Sequence, residues 1–432
     1  MNDAELTQIA TWLVRAGIAG KGEADLLRFF CKKASEAGIP LSRAVVAIDT
    51  LHPVHEGRVF RWRSDLARES EVREYGRTSG DDEAGQSWRR SPFFHMLEND
   101  LSSLHRRLGP ETDEEFTIFR EHREEGRTGW LALVDRFKPG AAIGEMDCIY
   151  SAWSTDAPGG FSDEEVAALE RLVPALGLAL KSASLARIAE TLVETYLGRD
   201  AGRRVLSGRI ERGVADRIEA VLWFSDLRSY TAIAGSCAPD EVLPLLNDYA
   251  EAVISAVHEA GGDVLKLIGD GVLAIFTAET CEDGPRCALA AERSLRERVA
   301  ALNARRLEAG QPVTEVYLGL HAGEVFYGNI GSHERLDFTV IGPAVNEASR
   351  IAAMCRSAER DVLVSAAFRN ASNGLEREAL VSVGRYALRG VERPQELFTL
   401  DRGVTLLDRA PLCAAPDGDA VAQADRESVT VL

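Results

Sequence analysis

The seven cysteines (31, 148, 237, 281, 287, 355 and 413) form no CxxC pair and have no histidine at ligand spacing. That pattern argues against a structural zinc site. Their scatter and odd number fit reduced thiols, so all seven are expected as core or surface thiols. No uninterrupted apolar run reaches the roughly 18–20 residues that cross a bilayer, and no membrane span is expected. The start, MNDAELTQIATW, lacks a basic stretch followed by an apolar core, so no signal peptide is expected and a cytoplasmic location is. Basic residues are short too: 50 Lys and Arg stand against 68 Asp and Glu, a formal net charge of -18. This argues against a nucleic-acid partner, which wants a basic surface.

What is present reads as globular: 45% hydrophobic and 27% charged over 432 residues, enough for two or three domains. Four regions separate. Residues 1–160 mix helical periodicity at 5–16 and 22–37 with strand patterns at 43–49, 57–62, 130–134 and 147–153. Residues 161–214 hold a connecting helix and linker. Ser162 is an N-cap with Asp163, Glu164 and Glu165 in the first turn. Leu169, Leu172, Val173, Leu176, Leu180 and Leu185 then recur at helical spacing toward Leu192 and Tyr196. That stripe suits either pairing with a second copy of itself or packing on its own domain. Residues 215–402 are rich in motifs, and 403–432, rich in Ala and Asp, are expected as a disordered tail.

Within the third region, strands are expected at 221–227, 264–268, 272–276, 316–320, 325–330, 362–365, 380–388 and 396–400. Helices are expected at 240–260, 284–308 and 344–354. Gly261 and Gly262 stop the first helix, and Gly269-Asp270-Gly271 is a hairpin turn. Helices alternating with hairpins predict an α+β sandwich.

Asp226 ends an apolar strand, and Asp270 sits at a hairpin tip. Each alone is an ordinary turn residue. Projected together from neighbouring strand ends, they could share hard cations through oxygen ligands, as phosphoryl transfer requires. Asn346 and Arg350 stand i and i+4 on one helix face, where Arg can stabilise charge on a phosphate. An acidic chain binding a polyanionic nucleotide would also need metal cations to offset repulsion.

The segments FSDLRSYT (224–231), KLIGDG (266–271), LHAGEVFYGNIG (320–331) and FTVIGPAVNEASR (338–350) resemble, in order and separation, the signature blocks of class III adenylate/guanylate cyclases. The resemblance covers residues 215–400 and implies a ferredoxin-like α+β catalytic sandwich. It implies that Asp226 and Asp270, with the Leu227 carbonyl, hold two Mg2+ or Mn2+ ions. It makes Lys266 and Thr339 the base-reading pair, Asn346 the ribose-orienting residue and Arg350 the transition-state arginine. Arg389, in LRGVERPQELF, stands where many members have a triphosphate-binding Lys. Because the family draws metals and base contacts from opposite subunits, a single such domain implies a homodimer.

Lys266 only donates hydrogen bonds and suits adenine N1, whereas the Thr339 hydroxyl can accept from N6. Guanine N1 carries a proton that would confront the ammonium, and an unpaired buried polar group costs roughly 1–3 kcal/mol. The expected activity is therefore conversion of ATP to 3',5'-cyclic AMP and pyrophosphate. The rivals are a guanylate cyclase, a catalytically silent nucleotide-binding regulator, and a sensor or scaffold that binds another protein. Ser229-Tyr230 stands where many members have Gly-Phe. His321 is expected as a strand residue and His333 in a loop. Residues 1–185 resemble a GAF-type sensory domain by pattern only, an α/β module expected to take an unknown small-molecule or protein signal. Its His52, His55, His95 and Cys31 lack ligand spacing.

Overall fold

The computed structural model describes residues 2–65, 71–78, 80–138, 143–144, 146–391 and 393–401; the expected tail at 403–432 lies outside them. The chain divides into two compact units, one running to Leu192 and one beginning at Val193.

The first unit is built on six strands: β1 (Arg43–Asp49), β2 (Gly57–Arg63), β3 (Glu71–Tyr75), β4 (Ser103–Arg107), β5 (Gly129–Arg136) and β6 (Cys148–Thr155). They form one antiparallel sheet in the order β3-β2-β1-β6-β5-β4. β1, β5 and β6 are apolar nearly throughout because both faces are covered. On one face lie α1 (Asp3–Ile18), α2 (Glu23–Glu36) and the first part of α6 (Asp163–Leu197), around Leu13, Phe30, Trp153, Leu169 and Leu176. On the other lie α3 (Glu83–Arg89), α4 (Pro92–Glu98) and α5 (Thr117–Glu124), around Val45, Phe93, Met96, Phe119 and Trp130.

α6 starts on a reciprocal cap. The Glu165 N–H donates to Ser162 Oγ at 3.3 Å, and the Ser162 N–H to Glu165 Oε2 at 2.7 Å. Its stripe of Leu169, Leu172, Val173, Leu176, Leu180 and Ile188 packs into the core of its own unit. An 18-residue window of this helix has mean hydropathy 1.4 and is 44% buried, so by length and composition it could span a bilayer. Lys181 and Arg187 interrupt its apolar residues, so no uninterrupted run marks it in the sequence.

The second unit opens with α7 (Arg199–Leu206). Its strands are β7 (Ala215–Leu227), β8 (Asp263–Ile268), β9 (Gly271–Thr277), β10 (Val316–Gly331), β11 (Leu336–Ile341), β12 (Val362–Ser365), β13 (Leu380–Tyr386) and β14 (Gln395–Leu400). The sheet order is β13-β14-β12-β10-β7-β9-β8, with β11 paired to β10. Every pairing is antiparallel except β10 with β12. The register slips between Ser382 and Gly384 on β13 and between Val264 and Lys266 on β8. The two strands expected at 316–320 and 325–330 are one: Ala322 and Gly323 look like a break, but β7 pairs across them without interruption.

Helices α8 (Tyr230–Ser236), α9 (Pro239–Glu259), α10 (Gly284–Glu308), α11 (Pro343–Ala358), α12 (Ala366–Ala371) and α13 (Gly374–Glu378) complete the α+β unit. One core joins α9, α10 and α12 to the sheet through Trp223, Tyr249, Phe276, Leu295 and Phe368. The other joins α7 and α11 to the opposite face through Leu222, Ile275, Tyr327, Phe338 and Ala348. α11 approaches β10 closely because position 319 is glycine. A Cβ there would come within 2.5 Å of the Ala352 nitrogen and 2.6 Å of the Ala348 oxygen.

One expectation for the cysteines is corrected. Cys281 and Cys287 are joined in a disulfide, with Cα atoms 6.7 Å apart. The turn entering α10 brings them within bonding range despite their spacing in sequence. Cys31, Cys148, Cys237 and Cys355 are free thiols.

Candidate active site

β7 runs from exposed to buried along its length and delivers Asp226 at its end, half-buried. The β8–β9 turn, with Gly269 in the left-handed region at φ 64°, delivers Asp270 beside it. The two meet: the Leu227 N–H donates to Asp270 Oδ2 at 3.3 Å. Burial, and then the hydrogen bond and negative charge of Asp270, raise the Asp226 carboxyl to about 6, while the Leu227 N–H pulls the other way. Two carboxylates held this close repel, and a cation between them would relieve both the repulsion and the desolvation. Among the described residues no third His, Cys, Asp or Glu joins a metal-holding group. A cation here would fill its remaining coordination from the Leu227 carbonyl, water and phosphate oxygens, which suits a hard ion.

The acids open on a cleft of about 200 Å3, walled by Leu243, Leu246, Asn247 and Ala250 of α9 and by Leu267 and Val316. Lys266, Thr339, Asn346, Arg350 and Arg389 are not among its walls. The β10 register shows why for one of them. Asp226 is opposite Tyr317, near the start of β10, and Thr339 opposite Gly328, near its end.

The other residues gather separately. The β10–β11 hairpin turns back so that β11 lies beside β8, and the Lys266 ammonium, half-exposed, forms an ion pair with Asp337. Asp337 and Thr339 are two apart on one strand and share a face, so Lys266 and Thr339 come to the same side. Asp337 is a residue that motif reading missed, because the quoted block begins one position after it; period-2 spacing from Thr339 was the available signal. Asn346 and Arg350 stand one turn apart on α11, Asn346 exposed and Arg350 partly buried. Gly390, at φ 74°, lies against the Arg350 guanidinium, and a Cβ on it would be 3.2 Å from Nη1. This brings the loop carrying Arg389, which is exposed, next to α11.

His321 is buried on β10 with its Nδ1 unpartnered and 3.9 Å from Glu347, and burial lowers its pKa. His333 is in the β10–β11 loop. Ser229 adopts the left-handed conformation at φ 58°, ψ 24°, just before α8. A Cβ is disfavoured in that conformation, and glycine would adopt it without strain.

Residues 215–402 match the family of adenylate and guanylate cyclase catalytic domains. An adenylate cyclase from Anabaena cylindrica is 36% identical over 161 residues, which are 36% of this chain and 31% of that protein. Adenylate cyclase 1 from Rhizobium meliloti is 32% identical over 178 residues, 40% of this chain and 26% of that protein. The matched stretches thus span about a third or less of these relatives. Among solved structures, the adenylyl cyclase CyaB from P. aeruginosa is 23% identical, with a TM-score of 0.40, over 44% of this chain and 96% of that one. The guanylyl cyclase Cya2 is 26% identical, with a TM-score of 0.38, over 43% of this chain and 91% of that one.

Proposed function

We propose, from the match of residues 215–402 to the family of adenylate and guanylate cyclase catalytic domains, that the chain converts ATP to 3',5'-cyclic AMP and pyrophosphate as a cytoplasmic homodimer. The supporting observation is the convergence of Asp226 and Asp270 on one cleft, apart from the base- and ribose-facing residues. A cleft of about 200 Å3 is below the roughly 300–1,000 Å3 usual for a drug-sized ligand, so one chain's acids serve the triphosphate end only. A second copy would supply the other group. Leu267, Ile268, Phe326, Leu336 and Ile341, all at least 38% exposed on the strands that carry these groups, give it an apolar surface to meet.

Asp226, Asp270 and the Leu227 carbonyl would hold two Mg2+ or Mn2+ ions. Bound there, the ions would supply positive charge to the phosphate oxygens and acidify the ribose hydroxyl. The partner's copy of Lys266 donates to adenine N1, and its Thr339 hydroxyl accepts from N6. Asn346 holds the ribose so that its 3'-oxygen faces the α-phosphorus. The 3'-oxygen–phosphorus bond forms, the bond to the β-phosphate bridging oxygen breaks, pyrophosphate departs, and the hydroxyl proton leaves to water. Arg350 neutralises charge on the five-coordinate phosphorus, and Arg389 draws on the triphosphate. We assign the first unit to a GAF-type sensory role, setting activity in response to a signal.

Asp337 keeps the guanylate cyclase reading open. Its carboxylate beside Lys266 can accept from guanine N1–H, an acceptor that motif reading did not count. The test is to incubate the purified chain with ATP or GTP and Mn2+ or Mg2+ and to separate the cyclic products. Cyclic GMP as the main product would replace the ATP assignment, and no cyclic product would remove both. Mixing Asp270→Ala with Arg350→Ala protein tests the shared site. Half of the dimers are then mixed, each keeping one intact site, so about a quarter of the wild-type rate should return. No recovery would place both residues in one chain's site.

A further inference from the structure

The pairing of β7 with β10 outlasts the two strands by one residue on each. Past Leu227 and Val316, the Arg228 N–H donates to the Glu315 carbonyl at 2.8 Å. Among the described residues no peptide bond is cis, so the Leu227 carbonyl, in the same peptide plane, points the opposite way from that N–H. It faces away from β10, to the side of β7 on which β9 and the Asp270 turn lie. The Leu227 N–H faces the same side and reaches Asp270. The Arg228 carbonyl, on the β10 side, is held by a side chain: Thr314 Oγ1 donates to it at 2.5 Å. Ser229, in the left-handed region, then turns the chain.

Thr314 is itself held on both flanks. Its N–H donates to Tyr249 Oη at 2.7 Å, and its carbonyl accepts from Asn303 Nδ2 at 2.9 Å. The Tyr249 hydroxyl donates to Asn303 Oδ1, which closes a ring of three hydrogen bonds between α9, α10 and the loop before β10. Tyr249 and Thr314 are 1% and 7% exposed. Burial raises the Tyr249 pKa, with the Thr314 N–H and Arg306 opposing, so the phenol keeps its proton and can donate. Arg306, buried on α10, fixes the same loop through the Pro312 carbonyl at 2.8 Å and pairs with Asp248 of α9. For packing alone an apolar cluster would serve as well; what a fully bonded ring adds is direction. Tyr249, Asn303 and Thr314 all lie outside the signature blocks.

We propose that Thr314, kept in place by Tyr249 and Asn303, is a positioning residue for cations at Asp226 and Asp270. Its hydroxyl and the Glu315 carbonyl hold Arg228 by both backbone groups, and this fixes the peptide whose other end is the Leu227 carbonyl. The inference rests on the reading that these acids and that carbonyl hold metal ions. Thr314 is not among the walls of the cleft, so it acts through the backbone of Arg228. The strained Ser229 next in the chain gives the turn a reason to relax once the bond to Thr314 is lost. Groups that orient metal ligands from behind commonly set metal affinity by about 10–100-fold.

The test uses the full chain without nucleotide, titrated with Mn2+ and followed by water-proton relaxation. Thr314→Val removes the hydroxyl at nearly the same size and should weaken Mn2+ binding about tenfold, whereas Thr314→Ser, which keeps the hydroxyl, should stay within about twofold of wild type. Tyr249→Phe leaves the ring in the core, is the safer variant for folding, and should weaken binding about two- to fivefold. Asp270→Ala should abolish it. Unchanged Mn2+ affinity in Thr314→Val, or in Tyr249→Phe should the first not fold, would show a merely structural role and overturn the proposal alone. An equal loss in Thr314→Ser would overturn it too, since the hydroxyl would not be the cause. Wild-type binding that survives Asp270→Ala, or no wild-type binding, would overturn the metal reading and the proposal with it. None of these readouts depends on cyclase activity.

Discussion

Each unit of this chain presses like charges together on the face of a sheet. In the second unit two carboxylates, Asp226 and Asp270, meet where a strand end faces a hairpin turn. In the first, Arg43 of β1 shares a sheet face with Arg63, directly opposite it, and with Arg61, two pairs along and opposite Val45. Local chain geometry brings the acids together, so a short motif announces them. The arginines depend on pairing between strands, and nothing in RAVVAID or GRVFRW announces that. Like charges held against repulsion are the shared physical signal, and it can be read only in three dimensions.

The largest effect should come from breaking the acidic pair. Asp270→Ala should lower cyclic nucleotide production at least about 100-fold while leaving far-UV circular dichroism unchanged. Full activity in that variant would remove the acids from the chemistry and leave the contrast one of charge alone.

Asp263 separates the effect of pairing two acids from that of mere burial. It is 6% exposed, and burial, then the charge of Asp200, raise its pKa to about 6, with nearby arginines opposing. A raised folded-state pKa contributes stability below the unfolded value of about 4, and that stability is lost as pH rises through about 6. Asp263→Asn should therefore match wild type near pH 4 and exceed it at pH 7.5 by about 1–3 kcal/mol in chemical denaturation. Equal stability at pH 7.5 would show that the arginines fully offset the burial.

Smaller effects follow. Ser229→Gly should raise stability by about 1 kcal/mol by relieving the left-handed backbone, visible as a higher urea midpoint at unchanged slope. Asp337→Ala should raise the ATP-over-GTP ratio by up to about fivefold, since an exposed ion pair carries no more than about 1 kcal/mol. A lower ratio would instead make Asp337 the group that aims Lys266 at adenine.

Much of the second unit was legible in the sequence because its signals are local. The helix at 284–308 and the strand at 362–365 fall at the expected bounds, as does the strand at 43–49 in the first unit. β3 (EVREY) and β4 (SLHRR) were not foreseen: both are short, polar outer strands whose place is fixed by their neighbours. The continuity of β10 was missed because it is fixed by β7, which pairs across Ala322 and Gly323. The Cys281–Cys287 bond and the Lys266–Asp337 contact were missed because each depends on a turn that brings together residues that sequence spacing keeps apart.

The register slips on β8 and β13 bear on what could join the long sheet. These are the two outermost strands of the long sheet, and each is irregular where a further strand would have to join. Ladder growth from one molecule to the next is discouraged at both margins. Any association would thereby be left to side chains, which can select a partner, whereas an open backbone edge would accept almost any extended peptide.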